Sequence, residues 1–254
     1  MKITFLGTGT SQGVPVIACT CNVCHSQDSR DQRLRSSILI EIEDKKIVVD
    51  CGPDFRQQML REKIQSIDAI LITHPHKDHL GGLDDVRAFN YILQRPTDVY
   101  ATTEVQTTIK NEFGYAFSTD KYPGVPEIHL HTIENKPFEA AGISITPIRA
   151  RHFNEHYVFG YRINDFTYIT DAVEIAEEEK VKIKGSKVIV INALRKKKHY
   201  SHFNLEEALA ILNELKPERA FLTHISHQLG LYEDVSKELP GFVKLAYDRL
   251  VIEV

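Results

Sequence analysis

The sequence predicts an α/β fold in which mixed β-sheets are covered by helices. Short runs rich in isoleucine and valine recur along the chain, and helical patterns lie between some of them. The early strands follow one another as in hairpins, without an intervening helix, which is not the order of a doubly wound parallel sheet. At 254 residues with 42% hydrophobic content, the chain has the length of one α/β domain, so we expect residues 1–254 to form a single domain.

Each predicted element is placed by its local pattern. Apolar runs of strand length predict strands at 2–6, 37–42, 46–50, 69–73, 142–148, 157–163, 166–170, 187–192, 219–223 and 250–254. Helical spacing of apolar residues predicts helices at 53–63, 83–93, 103–113 and 204–215. The last helix opens at Asn204, a residue type that favours the N-cap position.

Composition narrows the function classes. The formal net charge is −4, so no overall positive field attracts nucleic acid or an anionic membrane surface. The N-terminal apolar run is too short for a signal peptide, and no stretch has the length of a transmembrane helix. We therefore expect a cytoplasmic protein without a nucleic-acid or membrane partner.

Three of the four cysteines stand close together at Cys19, Cys21 and Cys24. In a reducing cytoplasm such a cluster is more typical of a metal site than of a disulfide. Cys51, at the end of an apolar run, fits a small buried residue better than a partner for the cluster. A tetrahedral zinc would need a fourth ligand from elsewhere, and His25 is the candidate nearest in the chain.

The segment 70–82, ILITHPHKDHLGG, is the richest in metal ligands. His74, His76, Asp78 and His79 follow an apolar strand in H-x-H-x-D-H spacing. Alternate residues of an extended segment point to the same side, so His74 and His76 can converge on one ion while Asp78 and His79 turn toward another. The spacing therefore predicts a two-metal centre.

This motif resembles the signature of the metallo-β-lactamase superfamily. The resemblance implies an αββα sandwich, two mixed β-sheets flanked by helices, with the metals at one rim and three more ligands downstream, each after a strand. The implied set is one metal held by His74, His76 and His152, a second held by Asp78, His79 and His224, and Asp171 between them. His156 stays open as the alternative to His152. Asp50 matches the family's supporting acid, which would orient a ligand histidine from behind.

The branches of the superfamily differ in which residues serve as metal ligands. His76 stands where flavodiiron members have glutamate, and Asp171 stands where the common zinc β-lactamases have cysteine. The segment around His199 and His202 resembles the H-x-x-H element of the phosphodiesterase members, which implies His202 as the general acid. The alternative is that His202 only packs beside the helix at 204–215. Asp78 is expected to orient the nucleophile, a hydroxide generated by the two metals.

The cysteine cluster adds a second resemblance. Together with the loop around His227 it is similar to PhnP-type phosphodiesterases, which implies a structural zinc held by Cys19, Cys21, Cys24 and His227. The expected cofactors are two divalent ions at the active site, zinc or manganese, and one structural zinc. The expected substrate is a small-molecule phosphodiester, cyclic or linear, and a homodimer is kept open as the assembly.

Two other functions are weighed against this one. A tRNase Z-like 3′-processing endoribonuclease would share the ligands, but that family carries a long arm for tRNA, and only 31 positions separate Asp171 from His202. A PqqB-like metal-binding carrier would share the cysteine cluster, but the complete H-x-H-x-D-H set favours a hydrolase. The loop at 7–13, GTGTSQG, lacks the ending of a phosphate-binding loop and is expected to be a turn near the rim of the site.

Overall fold

The computed structural model describes residues 1–254 as fifteen strands and eight helices. The strands are β1 (Lys2–Gly7), β2 (Ser37–Ile42), β3 (Lys45–Val49), β4 (Ala69–Leu71), β5 (Thr97–Ala101), β6 (Ile128–Thr132), β7 (Phe138–Ala140), β8 (Ile143–Phe153), β9 (His156–Ile163), β10 (Phe166–Tyr168), β11 (Glu174–Ile175), β12 (Val188–Asn192), β13 (Arg219–Thr223), β14 (Val243–Leu245) and β15 (Val251–Glu253). The helices are α1 (Phe55–Arg61), α2 (Lys77–Leu80), α3 (Arg87–Leu93), α4 (Thr103–Glu112), α5 (Gly114–Phe117), α6 (Glu177–Ile183), α7 (Leu205–Leu215) and α8 (Tyr232–Glu238).

The strands form two mixed sheets that share one pattern of pairing. The first has the order β15-β1-β2-β3-β4-β5-β6, and the second has the order β11-β8-β9-β10-β12-β13-β14, with β7 paired to β8. In both sheets three antiparallel pairings are followed by three parallel ones. The parallel strands of each sheet end at the same rim, where loops can bring polar side chains together.

The two sheets and the helices outside them form four layers that bury the apolar residues. The central part of the hydrophobic core lies between the two sheets and includes Phe5, Tyr161 and Phe221. Helices α1 to α5 cover the outer face of the first sheet, and α6 to α8 cover the outer face of the second. The αββα sandwich implied by the sequence resemblance is confirmed. No helix combines the length and the apolar character needed to cross a membrane.

The local chemistry of the chain explains where the predicted elements agree and differ. Helix α7 begins as predicted, with a capping box in which Asn204 accepts from the backbone N–H of Glu207 and donates its own to the Glu207 carboxylate. The helix predicted at 83–93 begins as a 3₁₀ turn over Leu83–Val86 and becomes α-helical at Arg87. The sequence does not predict helix α6 because its charged residues, among them the buried Glu179, hide any apolar period, although acidic residues in a first turn favour a helix.

Strand β8 is longer than predicted, and this changes the position of one candidate ligand. The pairing with β9 continues to the pair Phe153–His156, five residues beyond the predicted end of the strand at 148. His152 therefore lies inside β8, and the prediction that it follows a strand was wrong. Its side chain is buried, whereas His156, at the start of β9, is exposed.

Candidate metal centre

The backbone of the H-x-H-x-D-H segment changes from extended to helical, so its side chains point in two directions. His74 is buried in the loop that follows β4, and His76 has an extended backbone at the N-cap position of the short helix α2. Asp78 and His79 lie within α2 and so turn away from the extended part. The six-residue motif thus contributes ligands in two directions, as its spacing predicts.

A first group of donors consists of His74, His76 and His152, whose ligand atoms all lie within 4.8 Å of one another. The Nδ1 of His152 donates to the carbonyls of Asp171, at 2.6 Å, and Ser201, at 2.9 Å. These bonds leave the Nε2 of His152 free to bind an ion. The structure brings His152 rather than His156 into this group.

A second group of donors consists of Asp78, His79, Asp171 and His224, again with ligand atoms within 4.8 Å of one another. The Oδ2 atom of Asp171 lies 3.2 Å from His79 Nε2, and its Oδ1 atom lies 3.2 Å from His224 Nε2. The same Oδ1 atom is 4.0 Å from His74 Nε2 in the first group. The carboxylate of Asp171 therefore stands between the two groups.

Asp50 supports both groups from behind. Its Oδ2 accepts a 2.6 Å hydrogen bond from His79 Nδ1 and a 2.9 Å hydrogen bond from the hydroxyl of Thr73. The Thr73 oxygen in turn accepts from His74 Nδ1 at 2.9 Å. One buried carboxylate thus fixes the tautomer of a histidine in each group, with both Nε2 atoms directed at the site.

Burial and charge set the protonation of the donors. Burial lowers the pKa of His152 to about 4 and that of His74 well below its usual range, so both are neutral, as metal-binding imidazoles must be. Burial opposes charge on His79 as well, but the carboxylates of Asp78, Asp171 and Asp50 outweigh it and raise the pKa of His79 well above its usual range. The three carboxylates around one imidazole give the site an excess of negative charge, which bound cations would neutralise.

Unsatisfied atoms show that the donor set fits cations. The Nε2 atoms of His74, His79 and His224 are buried without a hydrogen-bond partner. An unpaired buried polar atom costs about 1–3 kcal/mol, a cost that binding to a cation removes. Imidazole and carboxylate donors suit zinc and also manganese. The two groups of residues therefore fit a pair of divalent cations.

The backbone at three of these positions is strained. Asp50, Asp171 and His224 have φ angles of 64°, 57° and 53°, in the left-handed region that non-glycine residues rarely adopt. Each follows closely after a strand, namely β3, β10 and β13. Strain of this kind, held by the surrounding fold, concentrates at functional sites.

A third group of donors joins the N-terminal segment to the loop after β13. The Sγ atoms of Cys19, Cys21 and Cys24 lie 3.2, 3.4 and 3.5 Å from the Nδ1 of His227, and no disulfide links the cysteines. Three thiolates and one imidazole around a common point form the donor set of a closed tetrahedral zinc site. His25 is exposed and outside the group, and Cys51 is buried in the core behind the first sheet.

The cysteine group and the metal centre share one loop. His224 and His227 both follow β13, and the backbone of Ile225 between them bonds to Thr8, at 2.9 Å, and to Thr10, at 3.1 Å. Thr10 also lines the cavity above the metal centre, so the loop at 7–13 lies at the rim of the site.

The metal centre forms the floor of a cavity of about 360 Å³. His202 stands in its wall, with its Nε2 3.0 Å from Asp171 Oδ1 and its Nδ1 2.9 Å from the hydroxyl of Ser201. The donor atoms of His152, Asp171 and His202 also lie within 4.8 Å of one another. His202 is thus held inside the site, beside the carboxylate that stands between the two groups.

Two supporting residues were not found from the sequence. Thr73 relays the orienting effect of Asp50 to His74, but a threonine at the end of an apolar run looks like an ordinary strand residue. Asn192 holds the turn that carries Asp171, because its side chain bonds both the N–H and the carbonyl of Ala172, at 2.8 and 2.9 Å. The only hint was a polar residue closing the buried run at 187–192.

Comparison with known proteins identifies the family. Residues 45–225 match the model of the Beta-lactamase superfamily domain. The chain belongs to the beta-lactamase superfamily. All seven donors of the two groups fall within the matched region, whereas the cysteine group lies outside it.

Individual relatives in the superfamily carry different names. The crystal structure of a new diphosphatase from the PhnP family is 36% identical, with a TM-score of 0.93, over 100% of this chain and 97% of that one. An octanoyltransferase of Porphyromonas gingivalis is 38% identical over 98% of this chain and 51% of its own length. A ribonuclease Z of Methanococcus maripaludis is 28% identical over 64% of this chain and 45% of its own length. This chain spans about half the length of the curated relatives it matches.

Proposed function

We propose that this chain hydrolyses small phosphodiesters, cyclic or linear, with two divalent cations at the metal centre and a structural zinc at the cysteine group. The position of Asp171 supports this most directly, because its carboxylate lies 3.2 Å from His224 Nε2 in one group and 4.0 Å from His74 Nε2 in the other. Two cations bound there would lower the pKa of a shared water and neutralise the phosphate oxygens.

The residues around the centre have separate tasks in this proposal. Asp78 lines the cavity and accepts a hydrogen bond from the attacking water, which orients its lone pair toward phosphorus. Asp171 is the nearest hydrogen-bond partner of His202 Nε2, and this contact directs the ring toward the floor of the cavity. From there the protonated ring donates its Nε2 proton to the departing ester oxygen and becomes a neutral imidazole. Asp50 and Thr73 keep the ligand imidazoles in the orientation that this arrangement needs.

Phosphorus chemistry is favoured over the other activities named among the relatives. The PhnP-family diphosphatase matches this chain over nearly its whole length, whereas the octanoyltransferase is about twice as long as the matched part. Between Asp171 and His202 the chain forms β11 and β12, which belong to the second sheet, and α6, which packs on that sheet, so this segment holds no arm for tRNA. The complete donor set also disfavours a non-catalytic carrier.

The direct test is turnover of bis(p-nitrophenyl) phosphate by the purified protein with added Mn²⁺ or Zn²⁺. His76→Ala removes a donor of the first group and is expected to lower kcat more than about 100-fold, beyond the 10–100-fold typical of outer-shell partners. His156→Ala is the matched control and should retain wild-type activity, because its exposed side chain lies outside both groups. Absence of turnover, or turnover unaffected by His76→Ala, would contradict the proposed hydrolase.

The role of His202 is tested by the leaving group. A p-nitrophenolate departs without protonation, whereas an alkoxide needs a proton, so His202→Asn should slow the release of a methanol leaving group about 100-fold and that of p-nitrophenol far less. Initial rates on dimethyl phosphate analogues and p-nitrophenyl diesters provide the comparison. Equal losses on both classes would mean that His202 positions Asp171 and donates no proton.

A further inference from the structure

Two aromatic side chains stand exposed at the mouth of the catalytic cavity. Phe153 is 39% exposed and Tyr200 is 70% exposed, and both line the cavity. Their rings meet edge to face, with centroids 5.2 Å apart and an angle of 70° between the planes. Most of the remaining lining is polar, with Leu194 as the other apolar residue, so the apolar surface is concentrated on this side of the mouth.

The aromatic pair is joined directly to the reacting groups. Phe153 follows His152 at the end of β8, so the strand that supplies a metal ligand also sets the position of the ring. Tyr200 stacks on His199, with centroids 4.4 Å apart, and His199 contacts His202 at 5.1 Å. The ring of His199 thus lies between Tyr200 and His202, so the exposed side of Tyr200 lies along the same cavity wall as His202.

We propose that Phe153 and Tyr200 form a stacking platform for a nucleobase, which makes nucleoside phosphodiesters the preferred substrate class of the proposed function. Every base has an apolar face that stacks on an aromatic ring, and such stacking needs no hydrogen-bond code. The phosphate would lie over the metal centre, the base against Tyr200, and the sugar between them. The exposed pair gains a partner on binding, as exposed apolar patches at binding sites do.

Two chromogenic diesters with the same leaving group test this platform. Thymidine 5′-(p-nitrophenyl phosphate) carries a base, and methyl p-nitrophenyl phosphate does not. Tyr200→Ala and Phe153→Ala should each lower kcat/KM for the thymidine ester about tenfold and leave that for the methyl ester nearly unchanged. Tyr200→Phe keeps the ring and should retain the preference. Tyr91→Ala, an exposed tyrosine of α3 outside the cavity, is the matched control.

The outcomes separate the platform from the hydrolase itself. Equal losses on both esters, or no loss on either, would overturn the platform while the hydrolase stands. If the wild-type protein cleaves neither ester, the hydrolase fails, and calorimetric binding to the metal-loaded protein decides the platform alone. In that case AMP should bind about tenfold more tightly than ribose 5-phosphate, and Tyr200→Ala should abolish the difference. Equal affinities in the wild-type protein would overturn the platform.

Discussion

Asp171→Asn is expected to lower kcat for bis(p-nitrophenyl) phosphate by at least about 10³-fold, because charge stabilisation at the reacting phosphate is the largest single contribution in sites of this kind. Asp171 faces both groups of donors, so its charge supports two cations at once. Asparagine has the same size and tolerates the left-handed backbone at this position. The substitution therefore removes charge and leaves the geometry in place.

Metal analysis and circular dichroism accompany the kinetics. We expect Asp171→Asn to bind less metal at the centre, to keep the zinc of the cysteine group and to retain the wild-type spectrum. Asp44→Asn, at an exposed turn that does not line the cavity, is the control with the same chemical change. Activity within a few-fold of wild type would show that the two donor groups do not share this carboxylate.

His227→Ala is expected to release one zinc ion and to lower Tm by roughly 10 °C or more, since a structural zinc contributes several kcal/mol to folding. The imidazole is the only donor of the cysteine group that comes from the far end of the chain. Without it, the segment carrying the cysteines loses its attachment to the loop after β13. The seven donors of the metal centre remain present.

Mass spectrometry measures the metal content, and thermal unfolding measures the change in Tm. His25→Ala is the control, because His25 is exposed and outside the cysteine group, and it should change neither quantity. A wild-type protein with only two ions per chain, both lost when His76 and His224 are replaced, would mean that the cysteines are merely thiols near an imidazole.

The sequence predicts those site residues that stand close together in one segment of the chain. Four metal-ligating residues within 74–79, directly after an apolar run, indicate a metal site without any knowledge of the fold. The more distant donors depend on which strand ends meet at the rim, and only the family resemblance connected His152, Asp171 and His224 to that segment. His152 shows the limit, because a long cross-strand pairing placed it inside β8.

Supporting residues were harder to predict because their contacts are tertiary. Thr73 and Asn192 each close an apolar run, and neither has a composition or spacing that distinguishes it from an ordinary strand residue. Phe153 and Tyr200 were missed for the opposite reason, since aromatic residues are expected in the core. Their exposure becomes apparent only when the end of β8 and the loop before α7 meet at the cavity.

The left-handed backbone at Asp50, Asp171 and His224 implies a trade-off between stability of the fold and activity of the site. Such conformations cost about 1–3 kcal/mol each, and glycine would adopt them without that cost. Glycine, however, supplies neither a carboxylate nor an imidazole, so each stabilising replacement would remove part of the site. Selection for heat resistance alone should therefore favour glycine at these three positions, and a carboxylate or imidazole retained there would be a record of selection for chemistry.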